Sequence, residues 1–171
     1  MRTRRYGTGA ALLCLAAVLV AGCDDGPKKD AAPPRPSPTA SVPAKVSAAE
    51  EVKARLEERL AVGEQRFGTG VNSPCATSSA RMFTADCQEA ADATAAAADL
   101  ALAEIDGRDG FATLGSVARK IRTAADTYGR LGCAQGPAAA DARKACLEPA
   151  AVIAQGFPDL RVGANLALAG R

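Results

Sequence analysis

Two evenly spaced cysteine pairs place the strongest constraint on this chain. Eleven residues separate Cys75 from Cys87 and twelve separate Cys133 from Cys146, and the first and second members of the pairs lie 58 and 59 residues apart. Each second cysteine opens a similar stretch, Cys87-Gln88-Glu89-Ala90-Ala91 against Cys146-Leu147-Glu148-Pro149-Ala150. Further on, Ala98-Asp99-Leu100-Ala101-Leu102-Ala103 mirrors Ala164-Asn165-Leu166-Ala167-Leu168-Ala169, displaced by seven residues. That shift is close to two helical turns, so it keeps the apolar face. The order helix, cysteine loop, helix therefore occurs twice. Two related helical hairpins make an all-α, up-down four-helix bundle with both cysteine loops at one end.

Periodicity supplies the helices. Ser47-Ala48-Ala49-Glu50 fits a capping box, and Val52, Leu56, Leu60, Gly63 and Phe67 follow on one helical face, ended by Gly68-Thr69-Gly70. A second helix is expected from about Asp86 to Ile105, its core side mostly alanine: Cys87, Ala91, Ala95, Ala98, Leu102 and Ile105. Asp106-Gly107-Arg108-Asp109-Gly110 reads as a tight turn between antiparallel neighbours. The third helix, from about Phe111 to Leu131, carries the stripe Phe111, Leu114, Val117, Ile121, Ala124, Tyr128 and Leu131, with Gly132 as its stop. In the last segment Pro137 starts a short helix reaching about Leu147, and Pro149 suits a first helical turn. Gly156-Phe157-Pro158 is expected to break the final helix, because proline removes a backbone donor.

The amino terminus has another character. Arg2, Arg4 and Arg5 precede an apolar run from Ala10 to Val20, a secretory signal pattern. The run is about half of the ~20 residues that span a bilayer. Val20-Ala21-Gly22-Cys23 resembles the lipobox of bacterial lipoproteins, and the resemblance covers residues 1–23. It implies that residues 1–22 are removed and that Cys23 carries a diacylglyceryl anchor, on the extracytoplasmic face of the cell membrane. Thr3-Arg4-Arg5-Tyr6 also fits part of a twin-arginine signal, so the export route stays open. Two acyl chains suffice for stable anchoring where one is marginal. Residues 23–45 then form a tether: six of ten prolines fall between Pro27 and Pro43. At ~3.1 Å per residue such a spacer reaches about 70 Å. Residues 46–171 form the helical domain.

Cys14 leaves with the signal and Cys23 is acylated, so four cysteines remain, and four permit three pairings. The compartment is oxidising. Pairing within each loop, Cys75 with Cys87 and Cys133 with Cys146, fits the repeat; cross-pairing between the loops is the competing arrangement. The spacings match neither a two-residue redox motif nor a thiolate metal site.

Composition narrows function further. Without residues 1–22 the chain has 18 Lys and Arg against 19 Asp and Glu, close to neutral, which gives no basic excess for nucleic acid. There is no histidine, the commonest general base and zinc ligand. Ser116 and Lys120 lie one turn apart, but no second catalytic motif or oxyanion hole accompanies them. Glu57, Glu58 and Glu64 lack the Glu-x-x-His partners of bundle-bound iron and read as a salt-paired face with Lys53, Arg55, Arg59 and Arg66. No catalytic residue, metal site or cofactor is expected. Arg119, Arg122, Asp126 and Arg130 form a ladder at one-turn spacing. They read either as a self-paired solvent face or, through Arg119, Arg122 and Arg130, as a docking stripe for an acidic envelope protein or cell-wall polymer. The resulting expectation is a non-enzymatic, membrane-anchored helical module with a binding, structural or sensory role. A small-ligand carrier with a pocket at the Phe157 break is the alternative, and an enzyme with an unrecognised site a third.

Overall fold

Helix formation starts at Ala44, in a computed structural model that describes residues 44–169. Four long helices follow, α1 (Ala44–Phe67), α2 (Ala85–Glu104), α3 (Ala112–Arg130) and α5 (Leu147–Leu168), with a short α4 (Ala140–Ala145) before the last. There is no strand among the described residues. The lipobox, the signal and the proline run up to Pro43 lie outside them. Ser47 does not cap α1: it is exposed within the first turn, and the helix begins directly after Pro43 in sequence.

The chain goes up α1, down α2, up α3 and down α5. Arg108 in the α2–α3 turn reaches Glu51 near the start of α1, which marks one end of the bundle. Both disulfides, Cys75–Cys87 and Cys133–Cys146, mark the other, with Cα separations of 4.8 and 5.8 Å. Pairing is within each hairpin, as the repeat favours. All four cysteines share one buried cluster with Met82, Tyr128 and Ile153. The second cluster, nearer the α2–α3 turn, is built on Val52, Leu56, Leu60, Leu114, Ile121, Phe157 and Leu160. Each large apolar side chain fully buried there stabilises the fold by about 1.5–3 kcal/mol.

Neighbouring helices around the bundle are α1–α2, α2–α3, α3–α5 and α5–α1; α2 and α5 also meet across the middle, while α1 and α3 stand further apart. Small side chains explain the short diagonal. The α2 face is Cys87, Ala90, Ala91, Thr94, Ala97, Ala98 and Ala101, all buried. Opposite Thr94 sits Gly156 of α5, where a Cβ would collide with the Thr94 methyl. The Thr94 hydroxyl donates to the Ala90 carbonyl at 2.7 Å, so its polar atom is satisfied within its own helix.

The expected break in the last helix is overturned. The final helix is not broken near Gly156–Pro158: α5 is continuous from Leu147 to Leu168 with Pro158 inside it. Proline in a helix interior costs ~3 kcal/mol, but Gly156, Phe157 and Leu160 are all buried around it. Their packing against three neighbouring helices outweighs that penalty. Leu131 also departs from its expected stripe. The helix ends at Arg130, Gly132 takes a left-handed turn at φ 64°, and Leu131 is left 42% exposed.

Candidate functional site

The exposed side of α3 follows from the same periodicity that buries Leu114, Ala118, Ile121, Ala125 and Tyr128. Arg119, Arg122, Asp126 and Arg130 all lie on it. The expected ladder of pairs along the helix does not form. Arg122 turns away from Asp126 and bonds Asp99 of α2 at 2.9 Å. Arg130 donates to the Thr127 hydroxyl at 3.1 Å. Arg119 lies beside Gly115, its guanidinium 3.3 Å from where a Cβ would stand. Neither Arg119 nor Arg130 has an acidic partner within 4.0 Å among the described residues. The stripe is therefore divided: Arg122 is committed to the fold, and Arg119 and Arg130 are available.

Charge is partitioned between the hairpins. Residues 44–110 carry seven Lys and Arg against twelve Asp and Glu; residues 111–169 carry seven against four. Helix α2 has no cation of its own. Four of its five acids take arginines from the neighbouring elements, Asp86 from Arg81 at 3.9 Å, Glu89 from Arg66 at 2.9 Å, Asp99 from Arg122, and Glu104 from Arg55 at 3.5 Å, while Asp92 accepts from Gln88. Among the described residues the cations with no acid within 4.0 Å are Lys53 and Arg59 on α1, and Arg119, Lys120, Arg130, Arg143 and Lys144 on α3 and α4, so most of them lie on the second hairpin.

Between the hairpins, Arg161 of α5 bonds two carboxylates of α1, Glu57 at 2.9 Å and Glu64 at 2.5 Å. The hydrogen bonds it donates, first to Glu57 and then to Glu64, hold its guanidinium even more firmly protonated than usual. Only the seven-residue spacing of Glu57 and Glu64, which puts both on one face of α1, hints at this clamp in the sequence. At the turn end, Glu51 accepts from Arg108 at 3.2 Å and Arg55 at 3.1 Å. The Arg108 bond is the main cause of its lowered pKa. No group of three or more metal-ligating side chains occurs among the described residues.

The position expected for a carrier pocket is filled. Phe157 is 3% exposed, its ring packed into the space that a side chain at Gly63 would take, and Leu160 is fully buried beside it. Only a recess of about 110 Å³ remains there, bordered by Arg59, Val62 and Ala93. Ser116 and Lys120 are both exposed on α3. A larger depression, about 360 Å³, lies elsewhere, between α3 and the α4–α5 corner. Compared with known proteins, the chain matches no protein family, no curated protein and no solved structure.

Proposed function

We propose that this chain is a lipid-anchored docking module of the cell envelope, held by an acylated Cys23 on the extracytoplasmic face and acting through binding rather than catalysis. The observation that carries the docking role is the concentration of cations without an acidic partner, Arg119, Lys120, Arg130 and Lys144, on α3 and α4 of the second hairpin, against Lys53 and Arg59 on α1 of the first. Exposed unpaired charge contributes little to stability but steers an oppositely charged partner and fixes its register. The disulfide-stapled core gives that face a rigid support. The Val20-Ala21-Gly22-Cys23 motif supports the anchor.

Crosslinking in intact cells, followed by purification and identification of the captured molecule, tests the reading. Wild type should capture an acidic partner, and a chain carrying Arg119→Glu with Arg130→Glu should lose it while still folding. Equal capture by both chains would count against the cationic face. Cys23→Ser should release the protein from the membrane fraction; a wild-type Cys23 without lipid would remove the anchor from the reading.

A further inference from the structure

Along the α5-facing side of α3 runs a groove whose walls are Lys120, Thr123 and Thr127 on one side and Glu148 and Val152 of α5 on the other. Its base is made of small or compact residues, buried Ala124 and Pro149. About 360 Å³ stays open above them. From Lys120 to Thr127 the track is about 10 Å long, and Leu131, 42% exposed, extends the same side of the helix to about 16 Å, roughly three helical turns. The α3 rim is cationic, and Glu148 on the α5 side is the one acid among the described residues that borders the groove. Lys120 has no acid within 4.0 Å among the described residues, and the Arg130 guanidinium is drawn to the groove wall by its bond to Thr127.

We infer that this groove docks an acidic amphipathic helical segment of a partner protein, its apolar side on Val152 and Leu131 and its carboxylates toward Lys120 and Arg130. The inference rests on the docking reading above and gives it a place and a chemistry. A polyanion without apolar side chains would leave Val152 and Leu131 uncovered. A second copy of this chain is a poorer fit, because Asp86, Glu89 and Asp99 of its acidic α2 are already bonded to arginines. The apolar track with a charged rim is the arrangement that receives a helix in a groove.

The test is fluorescence anisotropy with the full chain in detergent micelles. The probe is a labelled peptide of about three turns, leucine on one face and glutamate on the other. Binding should weaken at least about tenfold when serine replaces the leucines, when lysine replaces the glutamates, or when the protein carries Lys120→Glu or Val152→Asp. Thr123→Glu, at an exposed position that no core contact uses, should do the same and separates loss of docking from loss of folding. If the groove variants bind as wild type does while Arg119→Glu abolishes binding, the groove is wrong and docking on the outer ridge of α3 stands. Equal binding of poly-glutamate would overturn the amphipathic helix in favour of a polyanion. If no acidic probe binds, the groove and the docking reading fall together.

Discussion

The Tyr128 hydroxyl of α3 donates to the main-chain carbonyl of Met82, joining the second hairpin to the cysteine loop of the first across 46 residues of sequence. Both residues are fully buried in the cluster that holds the two disulfides. Tyr128→Phe leaves that carbonyl unpaired, which should destabilise the fold by about 1–3 kcal/mol in denaturant unfolding.

The same burial gives a pH signature. It pushes the Tyr128 hydroxyl up to about 12, against about 10 in an unfolded chain. Between those values the folded form keeps its proton and the unfolded form has lost it. Stability should therefore be unaffected by this group below about pH 10 and fall as pH rises toward 12. Tyr128 is the only tyrosine after residue 22. Tyrosinate absorbance of the processed chain should then show a single late transition, and a midpoint at the ordinary value would refute the buried hydroxyl.

The α2–α5 diagonal predicts a coupled pair. Gly156→Ala pushes a methyl group into Thr94 and should cost about 1–3 kcal/mol, the range for overpacking a tight core. Thr94→Ser removes the obstructing methyl and keeps the hydroxyl bond to Ala90. The double variant should recover most of the loss, a coupling that a double-mutant cycle would read directly. Independent, additive effects would mean that α2 and α5 do not meet at this contact.

Continuity of α5 through Pro158 predicts a stabilising change. Pro158 supplies no N–H to the Ala154 carbonyl one turn earlier. Replacing it with alanine should restore that bond and raise stability by about 1–3 kcal/mol, visible as a higher unfolding midpoint with unchanged slope. A loss on Pro158→Ala would show that the half-buried ring contributes more by packing than it removes from the helix.

The disulfides are local to each hairpin. Non-reducing peptide mapping should join Cys75 to Cys87 and Cys133 to Cys146. Each closes a short loop, so removing one by paired Cys→Ser substitution should lower stability by about 3 kcal/mol and leave the other bridge intact. Free thiols at the remaining pair would show that the loops depend on each other.

The core of α1 was legible because leucines at regular spacing have few competing readings: Val52, Leu56 and Leu60 are all fully or almost fully buried. The cysteine repeat likewise anticipated two hairpins with their loops together. Elsewhere local pattern was outvoted by contacts that no spacing reveals. The ladder reading paired Arg122 with Asp126 because they are one turn apart, but Asp99 on the adjacent helix takes the guanidinium. Pro158 reads as a breaker until the burial of Gly156, Phe157 and Leu160 is counted. Leu131 fits the apolar period but falls one residue past the end of the helix that would have buried it. Thr94, in a run of alanines, gave no sign that it packs directly on Gly156 of α5.

Because each disulfide closes within its own hairpin, the α2–α3 turn is the only covalent joint between the two halves of the described domain. Severing the exposed segment between Asp106 and Gly110 would leave two fragments of opposite charge. Each would be internally cross-linked, and the buried faces of both clusters, the Arg161 clamp and the Tyr128–Met82 bond would remain to hold them. Such a pair has the makings of a split protein, separable and recombinable, in which one half can be exchanged for a variant without refolding the other.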